Sequence, residues 1–369
     1  MPGRDAMVML TRSDAMLLLE ALKDRVSRQL SSVYDYALVG NGYVAGGDTD
    51  WRIELEVEGT PMYGPFLVYL PALAHAVEEG AESLLLEPDR VVGFLPHTFE
   101  ALPASDFPQW PALPVKLERR LPARKLAESC LAVMHCVDVF SLNSRCPGLA
   151  FPHVWVEDGM MTTVAGDRVR LAEFRSVVAR QRDSVRFCLP AVVVRAARCL
   201  LEARPCERLA LTLEAASTEA VSGEGAVAVT GAGWRVRARH PWWLPFPDYG
   251  HLFPPPGSLV ASAAVDGVMV RAVECAAKHN WEVGLHFSGT LLRVTLKKDN
   301  VIQVLHEVPA RGKAWLVFSA PVLGECLLAA WERGQTLIFA SPERKAVVLR
   351  TGDLTQLVLA LRDDGTPPP

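Results

Sequence analysis

Apolar residues recur at helical spacing in six segments of the chain. In one of them, Leu126, Cys130 and Val133 follow the i, i+4, i+7 rule of a single buried face. Four of the segments begin at a proline step after a strand-like run, and proline is well suited to the first helical position. These steps are Leu70-Pro71-Ala72, Leu121-Pro122-Ala123, Leu189-Pro190-Ala191 and Ala320-Pro321-Val322. The pattern therefore predicts four helices that begin at these prolines.

Two further helices are predicted without a proline at the start. The first follows Ser13, expected as its N-cap, and the second has an apolar stripe whose first member is Val265. Their apolar positions are Ala15, Leu18, Leu19, Leu22 and Val26 in the first, and Val265, Val268, Met269, Ala272 and Ala276 in the second. The six helices recur about every sixty residues, which indicates a repeated unit.

Short β-rich runs bounded by turn residues lie between the helices. Strands are predicted at 51–57, 83–86, 226–230, 291–296 and 346–350. Helices that recur among meandering strands favour an α+β fold, in which each helix packs on an antiparallel sheet, rather than strict βαβ alternation. Six such half-domains pair into three domains with two helices each. The alternative is that the Leu-Pro-Ala step recurs by chance in a chain rich in leucine and alanine.

Prolines and aromatic residues cluster at 106–111 and 246–256, which is typical of linkers between domains. We therefore expect three domains, at 1–114, 115–254 and 255–369. The segment 363–369 ends in three prolines after polar residues, and we expect it to be a disordered tail.

Composition and charge limit the classes of protein. Half of the 369 residues are hydrophobic, and 38 basic against 42 acidic side chains give a formal net charge of -4. These values exclude a disordered chain and a strongly basic one, so any site for a polyanion must be a local patch. The eight cysteines form no Cys-x-x-Cys pair, and we expect them to be reduced core residues of a cytoplasmic protein. Neither a secretion signal nor a membrane span is predicted.

The patterns typical of catalysis, metal binding and cofactor binding are mostly missing. Gly40-Asn41-Gly42-Tyr43-Val44-Ala45 matches a dinucleotide fingerprint, but turn residues rather than a helix follow it. A glycine-rich hairpin is therefore expected there, and an NAD-dependent enzyme is a remote alternative. His135 lies beside Cys136, but adjacent helical residues point to different faces. The sequence thus predicts no catalytic residue, no metal site and no cofactor.

Basic side chains lie opposite several of the apolar helix faces. Arg195 and Arg198 share one face, and Arg271 and Lys278 share another. Others are Lys23, Arg25 and Arg28 at the end of the first helix and Arg124 and Lys125 at the start of the third. One such face alone is typical of a solvated surface. Six similar helices related by symmetry would add their charges into a local positive potential that suits the backbone of a nucleic acid duplex.

Six strings of residues carry a family resemblance that spans nearly the whole chain. They are Gly47-Asp48-Thr49-Asp50, Leu70-Pro71-Ala72, Leu102-Pro103-Ala104-Ser105-Asp106-Phe107-Pro108, Thr163-Val164-Ala165-Gly166-Asp167-Arg168-Val169-Arg170-Leu171-Ala172, Phe246-Pro247-Asp248-Tyr249 and Leu357-Val358-Leu359-Ala360-Leu361-Arg362. In this order they resemble the bacterial DNA sliding clamp family, the β subunit of DNA polymerase III. The fourth and fifth strings are the most specific to that family.

The resemblance implies three tandem, similar clamp domains that close into a ring as a head-to-tail homodimer. Double-stranded DNA then threads the ring and is held by topology, without sequence readout. Such a protein is a non-catalytic processivity factor located in the cytoplasm at the nucleoid. The implied partners are the DNA polymerase III α subunit, the clamp loader and other proteins with a clamp-binding motif. No interaction with a membrane is implied. By family position and helix face, the DNA-binding residues are Lys23, Arg25, Arg28, Lys125, Arg145, Arg195, Arg198, Arg271 and Lys278.

The resemblance also implies an apolar cleft that takes short linear motifs of partner proteins. By family position its residues are Gly166, Arg170, Leu171, Pro247, Leu252, Ala346, Leu357 and Leu359. For Leu171 or Leu359 alone, a place in the core is an equally good interpretation. The chain departs from the family pattern at Gly166, Arg168, Val169 and Arg344. These departures indicate a divergent clamp, and the alternative function is a paralogue dedicated to repair, to a mobile element or to inhibition of the host clamp's partners.

Overall fold

A computed structural model describes residues 8–23, 33–59, 61, 64–110, 113–138, 146–179, 184–215, 225–239, 244–298 and 301–361. These residues form two compact units. The first comprises the described residues of Met1–Ala127 and Leu189–Trp243, and the second those of Glu128–Cys188 and Leu244–Pro369. Each unit is therefore assembled from two separate stretches of chain. The expected tail, 363–369, lies outside the described residues.

Six α-helices are present among the described residues, as the apolar spacing predicts. They are α1 (Arg12–Ala21), α2 (Leu70–Glu78), α3 (Ala123–Val133), α4 (Ala191–Ala203), α5 (Gly267–Ala277) and α6 (Ala320–Trp331). Helices α2, α3, α4 and α6 each begin within one residue of the predicted proline. The proline ring fixes φ near the helical value, and the first turn does not need the missing N–H.

The starts of the other two helices differ from the prediction. Thr11, not Ser13, caps α1, and its hydroxyl oxygen accepts a hydrogen bond from the amide three residues further on at 3.1 Å. Val265 ends a strand, and Asp266 caps α5 by accepting from the third following amide at 2.8 Å. In both helices, a side chain that satisfies an otherwise unpaired amide decides where the first turn begins.

The first unit contains two antiparallel sheets. Its strands are β1 (Val8–Thr11), β2 (Tyr36–Gly40), β3 (Tyr43–Gly47), β4 (Trp51–Glu56), β5 (Phe66–Tyr69), β6 (Ser83–Glu87), β7 (Arg90–Val92), β8 (Pro96–Thr98), β9 (Val115–Pro122), β14 (Arg208–Ala215), β15 (Gly225–Gly231) and β16 (Trp234–Arg239). One sheet has the order β1-β6-β7-β8, and the other has the order β5-β2-β3-β4-β16-β15-β14-β9. Helix α1 packs against α2 and α4, and α4 also packs on β16.

The second unit is built on one antiparallel sheet of ten strands. Its strands are β10 (His153–Glu157), β11 (Met160–Gly166), β12 (Arg170–Val177), β13 (Val185–Cys188), β17 (Ala261–Val265), β18 (Glu282–Lys298), β19 (Val301–Ser319), β20 (Thr336–Ser341), β21 (Ala346–Thr351) and β22 (Leu354–Leu359). Their order is β13-β10-β11-β12-β22-β21-β20-β17-β19-β18. Helices α5 and α6 pack on each other and cover a core that includes the fully buried Phe318 and Leu323. Helices packed on antiparallel sheets confirm the predicted α+β class.

The glycine-rich segment that matches a dinucleotide fingerprint is a hairpin. Strand β2 ends at Gly40 and β3 begins at Tyr43, so Asn41 and Gly42 alone form the turn. Gly42 has φ of 76°, a conformation that such tight hairpins require and that glycine adopts without strain. Strands β3 and β4, not a helix N-terminus that could receive a pyrophosphate, follow this segment, so the structure does not favour the NAD-dependent alternative.

The cysteines only partly follow the expectation of core residues. None of the eight forms a disulfide, and Cys130, Cys188 and two others are buried. Cys146 and Cys275 are exposed, so for these two the core prediction is wrong. Within the described part of the chain, no helix combines the length and apolar character that crossing a bilayer requires.

Strand pairing runs across both of the expected domain boundaries. In the first unit β4 pairs with β16, although the sequence assigns these strands to the first and middle domains. In the second unit β12 pairs with β22, which the sequence assigns to the middle and last domains. The division at 1–114, 115–254 and 255–369 stays a prediction.

Candidate functional site

Six of the nine basic residues predicted to contact DNA lie on described helices or directly after them. All six are exposed, and they are Lys23, Lys125, Arg195, Arg198, Arg271 and Lys278. Two have acidic neighbours on the same helix: Arg198 pairs with Glu202 at 2.8 Å, and Lys23 pairs with Glu20 at 3.3 Å. The other three, Arg25, Arg28 and Arg145, lie outside the described residues.

The charge on the helices is unevenly distributed. Within their bounds the six helices carry six basic and seven acidic side chains. Helices α3 and α4 each have one net positive charge, whereas α2 and α6 contain no lysine or arginine. The positive potential expected for a DNA-facing surface is therefore concentrated on α3 and α4 rather than shared equally by all six.

Three of the predicted cleft residues lie together in one apolar cluster of the second unit. Its buried members are Val164, Leu171, Ala346, Val348 and Leu357. The strand register places Leu171 of β12 opposite Leu357 of β22, and β21 continues the same surface with Ala346. Neighbouring strands thus bring together residues that are up to 186 positions apart in the sequence.

Half-buried aromatic side chains cover this apolar surface. They are Trp155, Phe246, Tyr249, Phe253 and Phe339, joined by Leu259, and together with the buried members they are called the aromatic cluster below. The Tyr249 ring centroid lies 5.9 Å from that of Phe246 and 6.3 Å from that of Phe253, both in edge-to-face geometry. Edge-to-face contacts add about 0.5–1.5 kcal/mol each beyond area burial. The aromatic segment is thereby held against the sheet without regular secondary structure of its own.

Tyr249 is anchored to the sheet by its hydroxyl group. The hydroxyl donates to Glu173 Oε2 on β12 at 2.8 Å, and Glu173 also accepts from Arg175 Nε at 2.8 Å. Burial of the ring and the bond to the Glu173 carboxylate both raise the pKa of Tyr249. The phenol therefore stays protonated and keeps donating, which fixes the Phe-Pro-Asp-Tyr string to β12.

Arg170 places a fixed positive charge beside the aromatic cluster. Its Nε donates to Asp167 Oδ2 at 2.8 Å, and its guanidinium also pairs with Glu325 of α6. Burial alone lowers the pKa of Arg170, but neighbouring groups, first among them the hydrogen-bonded Glu325 carboxylate, raise it above its ordinary value. The guanidinium is thus held in place by two carboxylates, one from a turn and one from a helix.

The remaining cleft residues surround the buried part of the cluster. Leu359 lies opposite Ala346 and, two residues after Leu357, on the same face of β22. Leu359 is 39% exposed and Leu252 is 43% exposed, and Pro247 is exposed as well. These side chains leave apolar surface open to solvent next to a buried apolar floor.

The departure at Gly166 has a steric explanation. Gly166 ends β11 opposite Leu171, and a Cβ added at this position would lie only 3.0 Å from Leu171 Cδ1. Glycine therefore leaves room for the leucine side chain in its present position. Arg168, Val169 and Arg344 are exposed, and nothing in the structure explains these departures.

Sequence reasoning missed the aromatic members of the site. The sequence points to Phe246 and Tyr249 only as parts of a family string, and it does not predict Trp155, Phe253 or Phe339 as members of the site. The sequence signal for these residues is the density of aromatic side chains at 246–256. The prolines of the same segment favour a linker instead. An irregular, proline-rich segment whose aromatic rings pack on a sheet forms part of a potential binding surface and is more than a linker between domains.

A second group of reactive side chains lies in the same unit and contradicts an expectation. His135, Cys136 and Cys326 each place one possible ligand atom within 4.8 Å of the other two. His135 and Cys136 were expected to point to different faces of a helix. Helix α3 ends at Val133, and both residues belong to the 3₁₀ turn that follows it, so α-helical spacing does not apply to them. The sequence predicts no metal site, and this cluster of three possible ligands makes that prediction testable.

Comparisons with known proteins identify the fold but give no match by sequence. No protein-family model matches the chain, and no curated protein matches it. Among solved structures, the β subunit of DNA polymerase III from Thermotoga maritima aligns with a TM-score of 0.78 at 16% identity, covering 97% of this chain and 99% of its own. A putative β subunit from Eubacterium rectale aligns with a TM-score of 0.79 at 9% identity, covering 98% and 100%. The sliding clamp from Pseudomonas aeruginosa bound to griselimycin aligns with a TM-score of 0.77 at 18% identity, covering 97% and 100%.

These similarities extend over nearly the full length of both chains. The chain therefore has the fold of the bacterial DNA polymerase III β subunit, the sliding clamp, as the family resemblance implies. At 9–18% identity the side chains have diverged far more than the backbone.

Proposed function

We propose that this protein is a DNA polymerase processivity factor: a sliding clamp that closes around duplex DNA as a head-to-tail homodimer and has no catalytic activity of its own. The observation that carries the proposal is the sliding-clamp fold along 97–98% of the chain. The aromatic cluster supports it, because Leu171, Ala346 and Leu357, three of the eight residues that the resemblance assigns to the partner-binding cleft, belong to it. In the cell, such a protein acts at the nucleoid.

The weak positive charge of α3 and α4 agrees with a sliding function. A protein that neutralises many phosphates binds tightly and loses affinity steeply with salt. A closed ring needs only weak, sequence-independent attraction, because topology prevents dissociation. Two net positive helices and an acidic total charge of -4 are compatible with this mode.

We further propose that the aromatic cluster binds short linear motifs of a DNA polymerase III α subunit, a clamp loader and other partners. Apolar side chains of a bound peptide would pack on Leu171, Leu357 and the exposed Leu359. Burial of one leucine or phenylalanine side chain contributes about 1.5–3 kcal/mol. Arg170, whose charge is compensated by Asp167 and Glu325, borders this surface as a fixed polar group.

The test of the ring is retention on circular against linear DNA. The purified full chain is loaded on nicked circular DNA with the clamp loader of the same genome and separated by gel filtration at high salt. We expect retention on the circle and loss after the DNA is cut once, since a ring slides off a free end. Sedimentation should give a dimer. Equal retention on circular and linear DNA, or a monomer at micromolar concentration, would refute the proposal.

A further inference from the structure

The second unit contains a cluster of three side chains that are typical metal ligands. His135 and Cys136 lie in the 3₁₀ turn Met134–Cys136, and Cys326 lies in the middle of α6. One ligand atom of each lies within 4.8 Å of the others. Both cysteines are fully buried, and His135 is half-buried. Two elements distant in sequence thus converge with a sulfur–sulfur–nitrogen donor set.

The donor set matches the preferences of zinc. Zinc binds cysteine sulfur at about 2.3 Å and histidine nitrogen at about 2.0 Å in tetrahedral geometry, so neighbouring donors lie about 3.5–4 Å apart. Donors that lie within 4.8 Å of one another reach these separations by small side-chain rotations. The soft thiolates select a thiophilic ion over magnesium or calcium, which prefer oxygen.

Gln356 fixes the orientation of the histidine ring. Its side-chain NH₂ donates to the carbonyl oxygen of Cys326 at 3.0 Å, so its Oε1 points at His135 Nε2, which lies 2.7 Å away. His135 Nε2 must therefore carry the proton, and Nδ1 keeps its lone pair. A ligand histidine whose other nitrogen donates to an oxygen is the usual arrangement around a protein-bound metal.

The cluster lies beneath the partner-binding surface. Successive residues of β22 alternate between its two faces, so Leu357 faces the aromatic cluster while Gln356 and Val358 face α6. Glu325, which holds Arg170, directly precedes Cys326 in α6. An ion at this place would tie α6 and the turn after α3 to the strands that carry the cleft.

We propose that His135 Nδ1, Cys136 Sγ and Cys326 Sγ bind one zinc ion, with a water molecule from the half-exposed His135 side as the fourth ligand. Binding displaces the thiol protons, so two protons leave per ion bound. The ion would link α6 to the turn after α3. This inference is independent of the clamp function, because it rests on three side chains that the processivity proposal does not use.

The experiment titrates the full-length, chelator-treated protein with Co²⁺ under anaerobic conditions. We expect one Co²⁺ per chain, with the visible bands of a tetrahedral ion and a thiolate charge-transfer band in the near ultraviolet, and displacement by one equivalent of Zn²⁺. Cys326→Ser should weaken binding at least about tenfold, since loss of a direct ligand exceeds the loss of an outer hydrogen bond. Cys130→Ser is the matched control, because Cys130 is a buried cysteine of α3 outside the cluster, and it should bind as the native chain does.

A second variant keeps the test decisive if a buried serine prevents folding. His135→Gln changes a half-buried position, and circular dichroism establishes whether it is folded. A folded His135→Gln with weakened Co²⁺ binding and one fewer ligand in its spectrum supports the site. Absence of cobalt bands in the native chain, unchanged binding by folded His135→Gln, or an intact mass lower by two hydrogens, which indicates a Cys136–Cys326 disulfide, would overturn it.

Discussion

His153 is a buried histidine that must stay neutral in the folded protein. It lies in β10 with no exposed surface, and its Nε2 donates to the Gly148 carbonyl oxygen at 2.8 Å. The ring also contacts Phe246 of the aromatic cluster, with centroids 4.8 Å apart. Burial lowers the pKa of His153 to about 4, because the charged form loses its hydration.

This shift predicts a loss of stability in mild acid. In the unfolded chain the histidine takes up a proton near pH 6.5, whereas the folded chain resists protonation until about pH 4. The free energy of unfolding should therefore be unaffected by His153 above pH 6.5 and fall by up to about 1.4 kcal/mol per pH unit below it. Urea unfolding of the native chain and of His153→Gln between pH 7.5 and pH 4.5 measures the difference, since glutamine can still donate to Gly148 but does not titrate.

The matched control is His279→Gln, which changes an exposed histidine of the same unit. Its pH dependence should parallel that of the native chain. If His153→Gln and the native chain lose stability in parallel from pH 6.5 to pH 4.5, the histidine is not kept neutral by burial.

Leu171 and Leu359 test the partner-binding role of the aromatic cluster. Leu171→Ala with Leu359→Ala removes one buried and one exposed apolar side chain from the same surface. We expect affinity for a fluorescent peptide from the C-terminus of the DNA polymerase III α subunit of the same genome to fall by about 30–1,000-fold, because each of the two truncations removes about 1–2 kcal/mol of packing. Fluorescence anisotropy measures the change.

The matched control for this pair is Leu349→Ala with Val304→Ala. Leu349 is buried on the opposite face of β21, and Val304 is 50% exposed on β19. This pair should destabilise the fold to a similar extent and leave the peptide affinity unchanged. Equal losses of affinity in the two double variants would mean that the peptide binds elsewhere or that affinity follows stability.

At the scale of elements, Arg204 ties α4 to its neighbours in the first unit. It follows the last residue of α4, and its guanidinium donates to Asp14 Oδ1 of α1 at 2.6 Å. The same group donates to the carbonyl oxygens of Gly233 at 2.6 Å and of Glu56 at 3.2 Å. One side chain thus connects two helices, a turn and the end of a strand.

Arg204→Met should lower the free energy of unfolding by about 2–3 kcal/mol. Hydrogen bonds to charged groups contribute about 1.5–3 kcal/mol, and the partial exposure of Arg204 and Asp14 screens part of that. Guanidinium chloride unfolding measures the change. Arg208→Met, at an exposed arginine of β14, should change stability by less than about 0.5 kcal/mol. If both variants lose the same stability, the connection through Arg204 is not significant.

The type of most elements could be predicted from local patterns. Proline marks four of the six helix starts, because its effect on the first turn depends on only a few neighbouring residues. The N-caps were misplaced, since Ser13 and Thr11 are both suitable residues and only the tertiary position of the turn decides between them. In α5 the predicted stripe included Val268, which is 46% exposed, because a strand ending at Val265 shifts the start of the helix.

The candidate sites depend on contacts that no local pattern contains. Leu171, Ala346 and Leu357 were placed in a cleft by family position alone, and pairing between β12, β22 and β21 brings them together. Cys326 lies 190 residues after Cys136, so no spacing rule relates the two. Long-range strand and helix packing, which is set by the whole fold, decides both sites.

At the scale of the whole molecule, charge bears on how the proposed clamp would hold DNA. The net charge is -4, and the described helices carry no excess of basic side chains. In the proposed clamp, closure around the duplex holds the DNA, so that few phosphate contacts are needed. The basic residues of α3 and α4 then act mainly during loading.

The last prediction concerns the exposed arginines of α4. Arg195→Glu with Arg198→Glu changes the formal charge of this helix by four, so its attraction for phosphate becomes repulsion. We expect loading on nicked circular DNA to fall at least about tenfold at 0.1 M salt, and the loss should lessen as added salt screens the charges.

Arg186→Glu with Arg311→Glu makes the same change in charge at exposed positions on strands, and it should load as the native chain does. Sedimentation should give dimers for both variants, so that a loading defect is not a failure of assembly. Equal loading by the two variants across the salt range would mean that α4 does not face the DNA.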